Sequence, residues 1–532
     1  MIFNSFEFLI FFPIVLILHF VLPLKLRWIA LLAASYYFYI SWNPELIYLI
    51  AFTTIVSYVS GIIIDKSKRP AVRKLWLTLT LVVCLGILFF YKYFNFLSTS
   101  VTEILRRFTL PVNDFTLDLI LPVGISFYTF QTLSYVIDVY RGSIKPEYHF
   151  GYYALFVSFF PQLVAGPIER PENLLPQLKA PHKPNAENFR EGLKIMICGF
   201  FKKLAVADIL ATYVNPVFNK PQEATGLSVV VATCLFAVQI YCDFSGYTDI
   251  AIGCSRMMGI RLMQNFNMPY NARTIKEFWS RWHISLSSWF RDYVYIPLGG
   301  NRCSSARQSF NVFVVFFLSG IWHGANWTFV LWGILHGVYQ IVGKITLPLR
   351  KKLCEKLHIN RESTVYVWWQ RFVTFVLVGI AWIFFRANSL ADLGILLSKI
   401  FSFFSPALLL VFPLEIAVAI SLVLLFSANA PSLIQAWGEK LHAASIAKYF
   451  STTLSILNIS PAEILLVVLV IIVMNLLDLL IMQNRDCTRF NAFDSKSLVR
   501  DTSYIYLLMC ISVAWLLLLA GNGASSFIYF QF

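Results

Sequence analysis

Two histidines sit in settings where an ionisable ring needs a reason. His323 lies in "FLSGIWHGANW" (Phe317–Trp327), between apolar runs and beside Gly320, Trp322, Gly324, Asn326 and Trp327. Ionisable groups in hydrocarbon are costly, and they usually face a partner or a wet cavity. A neutral imidazole titrates near working pH and can take a proton from a hydroxyl. Helical spacing puts Ser319, Asn326 and Trp327 on the face of His323. Two readings fit: a packed histidine bonded to Asn326 or to a backbone carbonyl, or a general base lining a cavity. The flanking glycines either bring helices close or open space for a ligand.

His283 lies in "NARTIKEFWSRWHISLSSWFRDYVYIPLGGNR" (Asn271–Arg302). Thr274 followed by Glu277 is a capping-box pattern that marks a helix start. Phe278, Trp282, Trp289 and Tyr293 recur at helical spacing and form an aromatic face. Ser280, His283, Ser287 and Arg291 form a polar face. Pro297, Gly299 and Gly300 end the element. The expectation is one amphipathic helix, and its plain alternative to chemistry is an interfacial helix with Trp at the lipid boundary and Arg at headgroups. His336 falls on roughly the other side of a helix from His323 and reads as structural or interfacial. His19 sits in the first apolar run with no polar company.

Several common chemistries have no support. There is no G-x-S-x-G, H-E-x-x-H, G-x-x-x-x-G-K-[ST] or G-x-G-x-x-G pattern. Nine cysteines are scattered, without C-x-x-C or Cys/His metal spacing, so no metal site is expected.

The elements that must hold these histidines are membrane helices. The 532-residue chain is 58% hydrophobic and only 13% charged, against roughly a quarter charged in soluble domains. Its mean hydropathy is +0.67, more apolar surface than one buried core can absorb. Long continuous apolar runs select helices over barrel strands. Spans are expected near 6–23, 28–64 (two), 75–97, 117–140, 150–166, 193–212, 227–252, 309–343 (two), 366–385, 395–426, 462–482 and 503–520. The first run lacks a basic leader and a clean cleavage site, so it reads as a span and not a signal peptide. Pro122, Gly124, Pro161 and Gly166 break two of the runs, which needs neighbours to satisfy the freed backbone. No internal repeat is evident.

The net charge of +15 fits basic cytoplasmic loops and not nucleic acid. "DKSKRPAVRK" (Asp65–Lys74) and "LRKKLCEK" (Leu349–Lys356) fit that rule. Two polar regions do not span: 165–192, and 256–307 with eight Lys or Arg against Glu277 and Asp292. Both are expected on the cytoplasmic side.

At its two histidines the sequence resembles the membrane-bound O-acyltransferase (MBOAT) family. "FWSRWHISLSSWFRDYVYIPLGGNR" and "SGIWHGANWTFVLWGILHG" are similar to the family's two signature blocks, in the expected order and distance. "LPVGISFYTFQTLSYVIDVYRG", "ALFVSFFPQLVAGPIERPENLLPQL", "QIYCDFSGYTDIAIG", "NFNMPYNARTIKEFW", "GIAWIFFRA" and the terminal "FIYFQF" extend the match over nearly the whole chain. The alginate O-acetylation (AlgI-like) branch fits best, with the teichoic acid D-alanylation branch as near relative.

The resemblance implies an all-α polytopic membrane protein. One integral domain over 1–532 would hold about 11–13 membrane helices, with re-entrant or interfacial helices around a central tunnel. Its signature core would lie at about 120–390 and further spans at about 395–532. The implied activity is transfer of an acyl group, acetyl by preference, from a cytosolic thioester toward an exported polysaccharide. Acetyl-CoA or an acyl carrier protein thioester would be the donor, with no tightly bound cofactor. The implied site has His323 as catalytic histidine and His283 as the second.

Beyond the resemblance, Arg281 and Arg291 are candidate contacts for the donor's phosphates. Asn326 would hold the His323 ring, and Ser287 and Trp327 complete the candidate set. An extracytoplasmic SGNH-like acetyltransferase, the polysaccharide acceptor and membrane lipids are the expected partners, in a bacterial inner membrane. A D-alanyl transferase, a proton-coupled transporter using His323 as a relay, and a scaffold with vestigial histidines are the alternatives that the sequence leaves open.

Overall fold

A computed structural model describes residues 1–403, apart from 43 and 111, together with 451–457, 459 and 467. Among the described residues, the regular elements are all helices. The N-terminal elements are α1 (Phe6–Val21), α2 (Leu24–Ile40), α3 (Ile47–Lys66), α4 (Pro70–Arg107) and α5 (Ile125–Arg141). Short helices follow: α6 (Phe150–Ser158), α7 (Phe160–Leu163) and α8 (Pro171–Lys179). Next come α9 (Ala186–Phe200), a π-helical stretch Phe201–Ala207, α10 (Asp208–Asn219) and α11 (Gly226–Met257). The histidine-bearing part has α12 (Ile275–Arg281), α13 (Ile284–Phe290), a π-helical turn Arg291–Tyr295, α14 (Ser305–His323) and α15 (Trp327–Lys356). The last described helices are α16 (Thr364–Arg386) and α17 (Leu390–Phe403). The spans expected at 462–482 and 503–520, most of 395–426, and the terminal "FIYFQF" lie outside the described residues.

Five helices among the described residues are long and apolar enough to cross a membrane: α3 with its preceding turn, α4, α11, α15 and α16. Their burial separates two roles. The apolar window of α11 is 67% buried and that of α4 only 17%. So α11 is the central post and α4 faces outward along most of its length. The long runs at 28–64 and 309–343 each resolve into two helices, as expected.

With lipid as solvent, helices gain little from the hydrophobic effect when they meet, and small residues let backbones approach. A Cβ added to Gly192 would lie 2.6 Å from the Gly253 carbonyl oxygen, and one on Gly199 would lie 2.7 Å from that of Gly246. Both pairs join α9 to α11, two turns apart on each helix. The same device joins α14 to α15 at Gly320 and Gly333.

The broken run at 150–166 is repaired by neighbours, as the membrane requires. Gln131 and Gln162 both donate to the Phe156 carbonyl, at 2.6 and 3.0 Å. The Phe160 amide donates to Ser35 Oγ at 3.1 Å.

The two ends of the bundle differ in charge. One end collects Lys66–Lys74, Arg141 and the regions 165–192 and 256–307. Arg170 pairs there with Asp292 at 3.1 Å, and the Arg261 amide donates to Gln177 Oε1 at 2.8 Å. The two polar regions therefore meet on one side, as expected. The other end carries the N-terminus of α5 and the C-terminus of α14. His19, expected without polar company, donates from Nε2 to the Met258 carbonyl at 3.0 Å. That bond is tertiary, across 239 residues, and leaves no trace in local sequence.

Candidate active site

The helix that begins at Thr274 is real but short. Thr274 Oγ1 accepts from the Glu277 amide at 3.1 Å, and Glu277 accepts from the Arg273 amide at 2.8 Å. The expected single amphipathic helix does not continue. It breaks at Trp282, which is extended, and His283, which adopts φ 44° and ψ 54°. A left-handed non-glycine residue costs of order 1–3 kcal/mol and persists only where its surroundings enforce it.

The enforcing element is the irregular stretch around Asn265. The Ile284 amide donates to the Asn265 carbonyl at 2.9 Å, and Ser285 Oγ donates to Asn265 Oδ1 at 2.6 Å. The Asn267 amide donates to the Arg281 carbonyl at 2.9 Å. These bonds replace helical ones across the break. The break turns His283 from a surface face into the interior, where it is fully buried.

His283 sits in an aromatic box. Its ring centroid lies 4.7 Å from Phe244 on α11, 5.9 Å from Trp322 on α14 and 6.3 Å from Phe127 on α5. Burial pushes its pKa down to about 3, so the ring is neutral and presents one N–H and one lone pair.

His323 is the last residue of α14 and is 4% exposed. Trp322, Trp332 and Phe385 pack around its ring at 4.9, 4.9 and 5.4 Å. Trp322 thus touches both histidines. Among the described residues, a cavity of about 80 Å³ reaches His323, with Trp322, Lys92, Val164 and the 121–127 segment as its other walls. It lies at the end of the bundle opposite the basic loops.

The flanking glycines do not leave room for a ligand. A Cβ at Gly324 would meet the Phe329 ring at 2.3 Å, and one at Gly320 would meet the Phe329 carbonyl oxygen at 2.5 Å. Both spaces are filled by α15, so the glycines serve helix packing.

Asn326 does not hold the His323 ring. Its Oδ1 accepts from the Thr328 amide at 3.0 Å and its Nδ2 donates to the Asn388 carbonyl at 3.0 Å. The helix ends at His323, so the shared-face spacing no longer applies. Asn326 is the N-cap of α15 instead.

Arg281 is bound to Glu277 at 2.8 Å and to the Asn267 carbonyl at 3.2 Å. Arg291 is 63% exposed and pairs with Asp292 at 2.8 Å. Ser287 Oγ donates to the Trp282 carbonyl at 3.3 Å. Trp327 is half exposed and donates to Ser100 Oγ at 3.1 Å. None of these four lines the cavity. The fold brings His283 and His323 together and places Arg281 and Arg291 at the basic end.

His336 is fully buried, not interfacial. Trp279 Nε1 donates to its Nδ1 at 3.2 Å, and Trp332 packs on it at 4.9 Å. This links α12 to α15 and supports the wall behind His323.

Sequence reasoning passed over Lys92. It lies inside an apolar run yet reaches the site: its Nζ donates to the Trp322 and His323 carbonyls at 2.8 and 3.0 Å. The signal was a single lysine in a lipid-facing helix, where a charge needs a partner.

A model of the family described as "MBOAT, membrane-bound O-acyltransferase family" matches residues 143–385, which include both histidines. The "Probable alginate O-acetylase AlgI" of Pseudomonas aeruginosa is 39% identical over 76% of this chain and 75% of its own length. The "Peptidoglycan O-acetyltransferase" of Helicobacter pylori is 36% identical over 68% of this chain and 71% of its own. The "Teichoic acid D-alanyltransferase" of Bacillus subtilis is similar over less: 32% identity across 46% of this chain and 64% of its own.

Proposed function

This chain belongs to the membrane-bound O-acyltransferase family, on its AlgI-like branch, and is a membrane-embedded O-acyltransferase; on that premise we propose that it moves an acetyl group from cytosolic acetyl-CoA to a hydroxyl presented on the other side, for O-acetylation of an exported polysaccharide. The observation that carries this reading is the position of His323. It is buried in the bundle and borders a cavity at the end away from the basic loops. By the positive-inside rule those loops are cytoplasmic, so the cavity serves an acceptor arriving from outside. The multi-pass protein then resides in the bacterial cytoplasmic membrane.

In the proposed reaction, His323 accepts the proton of the acceptor hydroxyl. The oxygen bonds to the acyl carbon, the carbon–sulfur bond breaks, and the sulfur leaves as the thiol with the proton from His323. His283, whose ring packs against Trp322, is neutral. A neutral ring can donate a hydrogen bond to the acyl oxygen as negative charge develops there. Arg281 and Arg291, at the basic end, offer charge to the phosphates of CoA as it docks. The acceptor is a sugar hydroxyl or a serine of an SGNH-like transferase that passes the acetyl group on.

The test is thioester turnover by purified protein in liposomes with labelled acetyl-CoA, following CoA release and acyl transfer. General base catalysis contributes about 10²–10⁴-fold. His323→Ala is expected to lose turnover on that scale while eluting as folded protein, and His283→Ala to lose less. Undiminished turnover in folded His323→Ala removes that residue from the mechanism.

A further inference from the structure

The end of α14 is built in an unusual way for the residue it carries. A helix leaves its last four carbonyls without intrahelical donors. After His323 the chain does not curl into a left-handed cap, because Gly324 is extended at φ −167° and ψ 155°. Inside a membrane, unmet carbonyls are costly. Here the donors come from another helix. On α4, Tyr93 Oη donates to the Ile321 carbonyl at 2.8 Å, and Lys92 Nζ donates to those of Trp322 and His323 at 2.8 and 3.0 Å. Adjacent residues of α4 therefore cap three successive carbonyls of α14.

Hydrogen bonds alone do not account for a lysine. A helix C-terminus carries roughly half a negative charge. In acyl transfer, negative charge grows on the acyl oxygen, and with His323 as the base proposed above the reacting atoms would lie near the C-terminus of α14. The ammonium of Lys92 lies on that end, 5.9 Å from the Trp322 ring, and borders the same cavity as His323. Its two bonds fix the backbone of the base, and in its protonated form it would offset the partial negative charge of that helix end.

We propose that Lys92 is a positioning residue for acyl transfer, clamping His323 and cancelling the negative end of α14 during the reaction. The inference rests on His323 as the base proposed above. Lys92 acts in the transition state more than in donor binding, so its loss falls on kcat and leaves KM for acetyl-CoA nearly unchanged.

The experiment compares Lys92→Met, Lys92→Gln, Lys92→Arg and Tyr93→Phe with wild type and His323→Ala in the liposome assay. Removing one electrostatic donor from a pre-organised site costs roughly 10²–10³ in kcat. Lys92→Met is expected to lose about 10²-fold on that basis. Lys92→Arg keeps charge and donors and is expected to stay within about tenfold of wild type. Tyr93→Phe removes a neighbouring cap without removing charge and is expected to lose far less than Lys92→Met. Should Lys92→Met fail to fold, Lys92→Gln decides, since it keeps a donor and drops the charge. Wild-type kcat in either folded neutral variant, with His323→Ala inactive, overturns the role of Lys92 alone. Equal losses in Tyr93→Phe and Lys92→Met also overturn it, because capping would then suffice. Wild-type turnover in His323→Ala overturns the base itself.

Discussion

Substituting Gly333 by Ala tests whether the close contact of α14 and α15 sets the catalytic geometry. A Cβ on Gly333 would lie 2.4 Å from the Phe316 carbonyl oxygen and 2.9 Å from Gly320 Cα. Both are backbone atoms, so no rotamer change relieves the clash. Ordinary contact begins near 3.4 Å, so the two helices must part by about 1 Å to recover normal packing. That movement separates His323 on α14 from Trp332 on α15, whose rings are 4.9 Å apart. Overpacking of this kind costs about 1–3 kcal/mol. A misplacement of about 1 Å at a reacting group can cost about 10²-fold in rate. Gly343→Ala is the matched comparison: same helix, with nothing within 4 Å of the added Cβ. It gains helix propensity of about 1 kcal/mol without a clash. The assays are thioester turnover and thermal unfolding in detergent. Gly333→Ala is expected to unfold at lower temperature and lose about two orders of magnitude in turnover, while Gly343→Ala holds or gains stability. If the two variants behave alike, helix contact does not set the geometry.

Two further outcomes concern buried charge away from the histidines. Burial pushes the Glu169 carboxyl up to about 7, against bonds from the Met263 amide and Asn173 Nδ2 that favour its ionised form. Because the folded value is raised, the folded state keeps a proton that the unfolded chain has lost. Stability is full below about 4.5, falls as pH rises from there to about 7, and is level above it. That window is worth about 3 kcal/mol at most. Thermal unfolding from pH 4.5 to 7.5 should show the decline in wild type and a flatter profile in Glu169→Gln; identical slopes would count against the assignment. Lys203 bridges Asp243 and Asp208, each at 2.8 Å, in a buried site. Lys203→Met leaves those carboxylates without its charge and is expected to cost about 3–5 kcal/mol, partly recovered by adding Asp243→Asn. A double variant no more stable than the single would refute the pairing.

Much of the fold is legible in the sequence. Apolar runs of span length, the helix start at Thr274 and the grouping of basic residues at one end are local or compositional features. Their physical causes act on neighbouring residues: hydrophobic length, capping and charge near the membrane surface. The two histidines were also legible, since ionisable residues amid apolar sequence demand a partner or a role. The path of the chain between them was not. The helical spacing of Phe278, Trp282 and Trp289 describes a continuous amphipathic helix, yet Asn265 and Asn267 bind the backbone of 281–285 and break it. Asn326 suffered the same fate, because α14 stops one turn before the spacing argument needs it to. Lys92 and His323 are 231 residues apart, and no periodicity connects them.

Composition and local pattern are enough to place this chain in a membrane as helices and to single out two histidines in family-like blocks. Packing in three dimensions turns His283 inward, sets Trp322 against both histidine rings and brings Lys92 to the end of α14. The reason is physical. In lipid, each backbone group must find a partner, and where a helix stops the partner comes from whichever helix packs there. That choice is made by contact in space, not by order along the chain.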